Sequence, residues 1–546
     1  MSIHTPYDEI NFMNYSSSAQ RAILDGIQDE IQKAGDEMSE MMAAHSPNTN
    51  LEPHLLLKAI QALFDACVNY GQVMSIMCSY NAINNIPTCG NPDLLNGILR
   101  ERWNFTGFVV KLLTDDGNVT MDTLNNAVRR LLKTKIELGM FDPPNMVEFN
   151  SYDFNDIENE AHLKLARQVA QQSICLYKNT NNNLQKAPLP IQNSAINKIG
   201  LFGIQSVQTD LLLGNYARSP DQPGITTILQ GIYDQIDQNT TANCTFEQDI
   251  GYFVPGQAPI AVYNPGQCCA LCSTVQTYQS MESEGRDRST IDLPVGQYEL
   301  VRLLKSVIGP NKSLIGILIR GGSIALHNLM DDCDGLIDGW YPGQLGGAAL
   351  ADVIFGSYNP AGRTPVTYYH SDEQLPPMHV MDLYPNSTIS SLGITYRYFT
   401  GKPQIPFGFG LSYTTFSYAN LQVKSSNVKA CDLITGSVDV TNTGAIDGDE
   451  VIQIYIKYQA SVPSPNVRLV SFQRILVQAG HTVTMEFTIT PDYHAVIYDS
   501  DSVYKPTRMV EEGTLNIYAG GGQPDYYSGH LQQQVQITNA QNIDTC

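Results

Sequence analysis

Leu314-Ile315-Gly316-Ile317-Leu318-Ile319 is apolar or glycine throughout and breaks off at Arg320-Gly321-Gly322. A strand with no polar face must be covered on both sides, which is the situation of a parallel sheet packed between helices. The glycine pair behind it marks a turn that other groups can approach closely. The neighbouring chain repeats the plan. A helix over 161–172, with Leu163, Ala166, Val169 and Ala170 inward, runs into a strand at Ser173–Asn179, and Lys198–Gly203 reads as a second strand. A helix near Ile225–Ile236 and a small-residue helix from Gly346 to Ile354 follow. Such alternation predicts an α/β sandwich domain over residues 151–410.

The flanking segments read differently. Upstream, Leu55, Leu56, Ala59, Leu63, Ala66 and Cys67 share a helical face that ends at Gly71, and Val73–Cys78 reads as a short buried strand. Ser79-Tyr80-Asn81-Ala82 then stands at a strand's C-terminal end, where barrel enzymes place functional loops. Asn91 is placed to cap a helix with Pro92 in its first turn and Leu94, Leu95, Ile98 and Leu99 inside. Gly107–Val110 reads as another buried strand, and Leu124, Val128, Leu131, Leu132 and Leu138 as a helix stopped by Gly139. Residues 51–150 are thus pieces of a parallel barrel, an incomplete (β/α) barrel remnant, while polar, Met-rich residues 1–50 stay unassigned. Downstream, strands at Gly436–Thr441, Val451–Tyr458, Leu469–Val477, Val483–Ile489 and Thr514–Ala519 alternate with turn residues. They predict a C-terminal fibronectin-III-like β-sandwich over 411–546. Gly520-Gly521-Gly522 opens no helix, so it does not form a phosphate loop.

Charge narrows the partners. With 54 acidic against 32 basic residues the net charge is −22, which disfavours nucleic acid and anionic membrane surfaces and leaves a neutral substrate unopposed. No run of about 18 apolar residues is present to span a membrane, and the first residues carry no signal-peptide pattern. Seven Asn-x-Ser/Thr sequons, at Asn14, Asn104, Asn118, Asn239, Asn243, Asn311 and Asn386, lean towards a secreted history. Eleven cysteines leave at least one unpaired in a monomer, and Cys269-Ala270-Leu271-Cys272 has no second pair or His cluster, so no metal site is expected.

The stretch with the clearest chemical potential is Met281-Glu282-Ser283-Glu284-Gly285-Arg286-Asp287-Arg288. Alternate carboxylates point the same way on an extended segment, a glycine permits a sharp turn behind them, and the arginines can hold a carboxylate ionised or clamp the turn. A solvated charged loop is the competing reading.

Several motifs in combination resemble glycoside hydrolase family 3, in its β-xylosidase branch. They are Met77–Ala82, Trp103–Val110, Leu138–Pro144, Tyr341-Pro342-Gly343-Gln344, Asn359-Pro360-Ala361-Gly362-Arg363 and Tyr396–Phe416. The resemblance implies a retaining hydrolase that removes xylose or arabinose from the non-reducing ends of xylo-oligosaccharides, without a cofactor. It implies an extracellular setting, and leaves the oligomeric state open. It makes Glu282 and Glu284 the candidates for the acid/base, one of the two, and Tyr80 and Arg286 candidate substrate contacts. The family's strand at Gly107–Val110 leads into a Ser-Asp motif whose Asp is the nucleophile, whereas this chain continues Lys111-Leu112-Leu113-Thr114-Asp115-Asp116-Gly117. Asp115 and Asp116 suit a turn better than a replacement nucleophile, so no nucleophile is found. A second departure stands before the acidic loop, where Pro265–Cys272 replaces the family's apolar strand and glycine pair. An inactive or fragmentary relative, or a carbohydrate-binding protein, is therefore the alternative.

Overall fold

The computed structural model describes residues 66–78, 82–83, 86–110, 121–181, 185–191, 199–203, 206–209, 212–214, 224–239, 247–248, 270–276, 288–293, 296–309, 312–377, 380, 383–498 and 507–546. The chain divides into two compact units, residues 1–152 with 499–506, and residues 153–498 with 507–546.

In the first unit, β1 (Ser75–Met77) and β2 (Phe108–Val110) pair in parallel, Ser75 opposite Phe108. Between them lies the helix Asp93–Arg102, and Asn91 caps it: its Oδ1 accepts from the backbone N–H groups of Asp93 (3.1 Å) and Leu94 (3.3 Å). The Arg100 guanidinium donates to the carbonyls of Phe105 and Gly107, both at 2.7 Å, and so ties the helix to the entry of β2. Cys78, at the end of β1, forms a disulfide with Cys89. α1 (Met121–Glu137) ends at Gly139, which takes φ +69° as a left-handed helix terminus requires. The expectation of a buried β1 is corrected, because Met77 is 61% exposed. Val128 and Leu132 of α1 are exposed as well. Apolar composition made these elements, but the core among the described residues is small: Val68, Leu99 and Phe105, with Val73, Ile76, Leu95, Trp103 and Val109 packed against them.

The second unit holds a six-stranded sheet. Its strands are β3 (Cys175–Asn179), β4 (Ile199–Phe202), β5 (Glu247–Gln248), β6 (Ala270–Gln276), β7 (Ser313–Ile319) and β8 (Gly335–Asp338), in spatial order β3-β8-β7-β6-β4-β5. Only β3 runs antiparallel. β7 is buried at all seven positions, as its sequence demands. The expectation that Pro265–Cys272 replaces a strand is corrected. β6 begins at Ala270 and pairs in parallel with β7 from Ala270–Ser313 to Gln276–Ile319; the cysteine-rich sequence hid a strand that its neighbours template.

One face of the sheet packs on α2 (Glu160–Ser173), α3 (Ile228–Asn239) and α5 (Gly346–Phe355), the other on α4 (Gln297–Ile308). Ala170 of α2 is buried, but Val169 is 58% exposed, correcting its inward assignment; the buried stripe is narrower than the apolar one. α3 crosses α5 in near backbone contact, for a Cβ on Gly347 would lie 2.0 Å from the Thr227 carbonyl oxygen. At the same junction the buried Asp352 carboxylate accepts from Arg167 Nε (2.7 Å) and Nη2 (2.6 Å), Gln171 (2.6 Å) and Gln235 (2.8 Å), knitting α2, α3 and α5.

The β-sandwich completes this unit. β9 (Phe416–Val423), β10 (Ile434–Asn442) and β13 (Thr482–Ile489) form one sheet; the other contains β11 (Gly448–Tyr458), β12 (Arg468–Val477), β14 (Gly513–Gly520) and β15 (Leu531–Ile537). The strict alternation of burial along β10 is the mark of a sheet with one face in the core. Cys431 and Cys546 close a disulfide across 115 residues. The sandwich meets the α/β part through buried polar pairs. Arg363 Nη2 donates to Glu450 Oε2 at 2.7 Å, and Gln453 Nε2 donates to the Gly408 carbonyl at 3.0 Å. Arg474 reaches Asp449, the Gln172 carbonyl and the Tyr358 hydroxyl, all within 2.9 Å.

Candidate active site

Open parallel sheets bind ligands outside the carboxyl ends of their strands. At that edge of this sheet, β6 ends at Gln276 and the chain returns at Arg288. Glu282, Glu284 and Arg286 fall in between and lie outside the described residues, as do Tyr80, Asp115 and Asp116. What is described is the foot on which the acidic segment stands.

That foot, residues 288–293, has no regular secondary structure yet is tied at Arg288 and at each residue from Thr290 to Leu293. Arg288 Nη2 donates to the Ser323 carbonyl at 2.5 Å, and Nη1 donates to those of Thr290 (3.2 Å) and Asp292 (3.4 Å). The Asp372 carboxylate accepts from Thr290 Oγ1 (2.5 Å) and from the Ile291 backbone N–H (2.9 Å). Ala325 N–H donates to the Ile291 carbonyl at 2.8 Å. The Tyr298 hydroxyl accepts from Leu293 N–H (2.9 Å) and donates to the Ala325 carbonyl (2.5 Å); burial pushes this hydroxyl far above the usual phenol range, so it keeps its proton. His327 Nε2 lies 2.6 Å from Asp292 Oδ1, with its ring edge-on to Tyr298.

The turn that receives these bonds, after β7, is held from below. Arg320 is completely buried; its Nε and Nη2 donate to Asp338 Oδ2 at 3.1 and 2.6 Å, and its Nη1 to the Gly322 carbonyl at 2.7 Å. The same carboxylate oxygen accepts from the Tyr177 (3.0 Å) and Tyr368 (2.5 Å) hydroxyls, and the guanidinium lies over the rings of Trp340 and Tyr368. Burial pushes the Asp338 carboxyl up, and the guanidinium and hydroxyl donors push it back. The Tyr341 ring fills the space a side chain would need at Gly214 and Gly321, where added Cβ atoms would lie 2.9 and 2.4 Å from it. Reasoning from sequence identified the Arg320-Gly321-Gly322 turn but missed this network. Its one local signal is Asp338, a carboxylate ending an otherwise apolar strand.

The arrangement is a rigid platform at the strand ends, suited to holding an acidic loop in one place. Among the described residues no group of three or more His, Cys, Asp or Glu side chains could hold a metal ion.

Comparison with known proteins gives these features a family. The Glycosyl hydrolase family 3 N terminal domain matches residues 34–171, its C-terminal domain residues 174–413, and a Fibronectin type III-like domain residues 450–523. The first match reaches back into the stretch 1–50. A β-xylosidase of Formosa agariphila is 28% identical over 516 residues, covering 84% of this chain and 68% of that protein. β-D-xylosidase 1 of Arabidopsis thaliana is 29% identical over 514 residues, covering 80% and 64%. The periplasmic β-glucosidase of Salmonella typhimurium is 28% identical over 518 residues, covering 82% and 66%. The chain spans about two thirds of the length of these relatives. Among solved structures, a GH3 exo-β-xylosidase in complex with a xylobiose aziridine probe superposes with a TM-score of 0.76 at 22% identity, over 91% of this chain and 70% of that one. A β-glucosidase from Listeria innocua superposes at 0.75 and 19%, over 91% and 72%. The three domain matches run in the order of the barrel pieces, the α/β sandwich and the β-sandwich, and the chain belongs to glycosyl hydrolase family 3.

Proposed function

We propose that this chain is a β-xylosidase-type glycoside hydrolase that removes xylose or arabinose from the non-reducing ends of xylo-oligosaccharides with retention. The observation that carries the reading is the run of β-xylosidase relatives aligned over about four fifths of the chain. In a retaining reaction one carboxylate attacks the anomeric carbon, while a second carboxyl group protonates the leaving oxygen and later deprotonates water. Glu282 or Glu284 takes the second role. The fixed foot at 288–293 supports it, since a general acid acts only from a defined position. Tyr80 and Arg286 are assigned to substrate contact. An extracellular setting is supported by the sequons and by the Cys78–Cys89 and Cys431–Cys546 disulfides, which persist where the medium is oxidising.

The test is release of xylose from aryl xylosides by the purified chain. Glu282→Gln or Glu284→Gln, whichever removes the acid, is expected to lower kcat/KM for a poor leaving group about 10²–10⁴-fold, while sparing kcat/KM for a dinitrophenyl xyloside that leaves without protonation. For the latter, kcat falls because the same group no longer activates water. Absence of turnover on aryl xylosides, arabinosides and glucosides alike would sink the enzymatic reading. Sugar binding by such an inactive chain would instead identify a carbohydrate-binding relative, the reading that the missing Ser-Asp motif after Val110 favours.

A further inference from the structure

Where the β-sandwich meets residues 395–407, the strongly acidic chain gathers positive charge. The helical turn Thr395–Tyr398 places Tyr396 on Phe407, with ring centroids 4.0 Å apart and nearly parallel. Thr395 holds φ +62°, a left-handed conformation that a β-branched residue adopts only under constraint, and its N–H donates to the Tyr369 hydroxyl at 2.9 Å. Two bonds dock this turn onto the start of β12: Asn466 N–H donates to the Arg397 carbonyl (2.7 Å), and Leu469 N–H to the Tyr396 hydroxyl (3.2 Å). Arg397 is thereby brought beside Arg468.

Neither guanidinium faces a carboxylate among the described residues. Arg468 Nη1 donates to the carbonyls of Asp492 (3.2 Å) and Tyr493 (2.9 Å), and its plane lies over the Tyr493 ring. Arg397 Nε has only the Tyr396 hydroxyl, at 3.5 Å. The Asp492 carboxylate is held instead by Arg508 Nη1 at 3.0 Å. His494 follows Tyr493 in the chain and is 3% exposed, and neither of its ring nitrogens has a hydrogen-bond partner. Arg468 Nε is likewise buried without one. The groups facing this junction are therefore Arg397, Arg468, His494 and the Asp492–Arg508 pair, with Tyr396, Tyr398 and Tyr493 around them.

Adjacent like charges and buried donors without acceptors both cost free energy, and each calls for a compensating group. One anion answers both. We propose that Arg397, Arg468 and His494 form a binding site for a small oxyanion, a carboxylate or phosphate group, at the seam between the α/β sandwich and the β-sandwich. The two guanidiniums supply charge-assisted hydrogen bonds and His494 a buried ring N–H. The reading stands apart from hydrolysis, since it invokes neither Glu282 nor Glu284.

Calorimetric titration of the full chain with inorganic phosphate, with D-glucuronate and with glucose tests it. Saturable binding of an oxyanion, with none of glucose, is expected. Arg397→Gln should weaken it roughly tenfold or more, the factor produced by one lost charge-assisted hydrogen bond. Arg302→Gln, which removes an exposed charge elsewhere, should leave it unchanged. Phosphate binding alone assigns the site to a free inorganic ion, whereas glucuronate binding that phosphate displaces assigns it to acidic sugars. Arg468→Gln is the second variant, and if it fails to fold, Arg397→Gln still decides. The site is refuted if neither oxyanion binds saturably, if both Arg397→Gln and Arg468→Gln bind as tightly as the parent, or if Arg302→Gln weakens binding equally.

Discussion

Arg320 and Asp338 have almost no access to water, with side chains 1% and 0% exposed, so each depends on the other for its charge to be tolerable. Removing one partner of such a pair leaves a buried charge uncompensated. Arg320→Met is expected to cost about 3–5 kcal/mol, read as a shift in the urea unfolding midpoint. His494 offers the opposite case, a basic group kept neutral. Burial, with Arg468 nearby, lowers its value from 6.5 to about 4. Between those values the unfolded chain binds a proton that the folded chain does not. This contribution is therefore full above about pH 6.5 and lost as the pH falls towards 4, by roughly 3 kcal/mol at most. Unfolding at pH 7 and pH 4.5 in buffer free of multivalent anions should show the parent losing more stability than His494→Gln; equal losses would refute the assignment. Neither site was legible in the sequence. The partners of Asp338 stand 161, 30 and 18 positions away, and nothing local marks His494 as buried.

At the scale of elements, the glycine crossing of α3 and α5 yields a pair of contrasting predictions. Gly347→Ala forces a methyl group into the Thr227 carbonyl and must push the helices apart, at about 1–3 kcal/mol. Gly97, in the helix Asp93–Arg102, has nothing within 4 Å of an added Cβ. Gly97→Ala should instead be neutral, or stabilising by about 1 kcal/mol through helix propensity. Thermal melts followed by circular dichroism distinguish the two. The elements themselves were largely readable. β7 announced itself by unbroken apolarity, and β10 to β14 by alternation between turn residues. Two errors have one physical source. Met77 and Val169 are apolar enough for a core, yet burial is decided by what packs against an element, which no local pattern contains. β6 failed in reverse, because pairing on both sides makes a strand of a segment whose composition does not ask for one.

For the molecule as a whole, the strongest long-range constraint on the β-sandwich is covalent. The Cys431–Cys546 bond closes 115 residues, and loops of that length lose the most entropy when closed. Replacing both cysteines by serine should cost about 2–5 kcal/mol, and a reductant should lower the melting temperature of the parent more than that of the variant, which keeps Cys78–Cys89. Homologous order made the three-domain plan legible from sequence, whereas the seam between the last two domains was not. Glu450 and Gln453 read as ordinary polar positions on a strand, yet they are 2% and 1% exposed and find their partners on Arg363 and Gly408. This seam bears on how such a chain can be rearranged. A sandwich with its own core and turns resembles a bead that recombination could move from one protein to another. Here, cutting it away would strand a buried carboxylate on one fragment and a buried guanidinium on the other. The strand β11, which carries Glu450 and Gln453, belongs to the neighbour's interior as much as to its own, so the sandwich is inherited with the α/β part rather than traded.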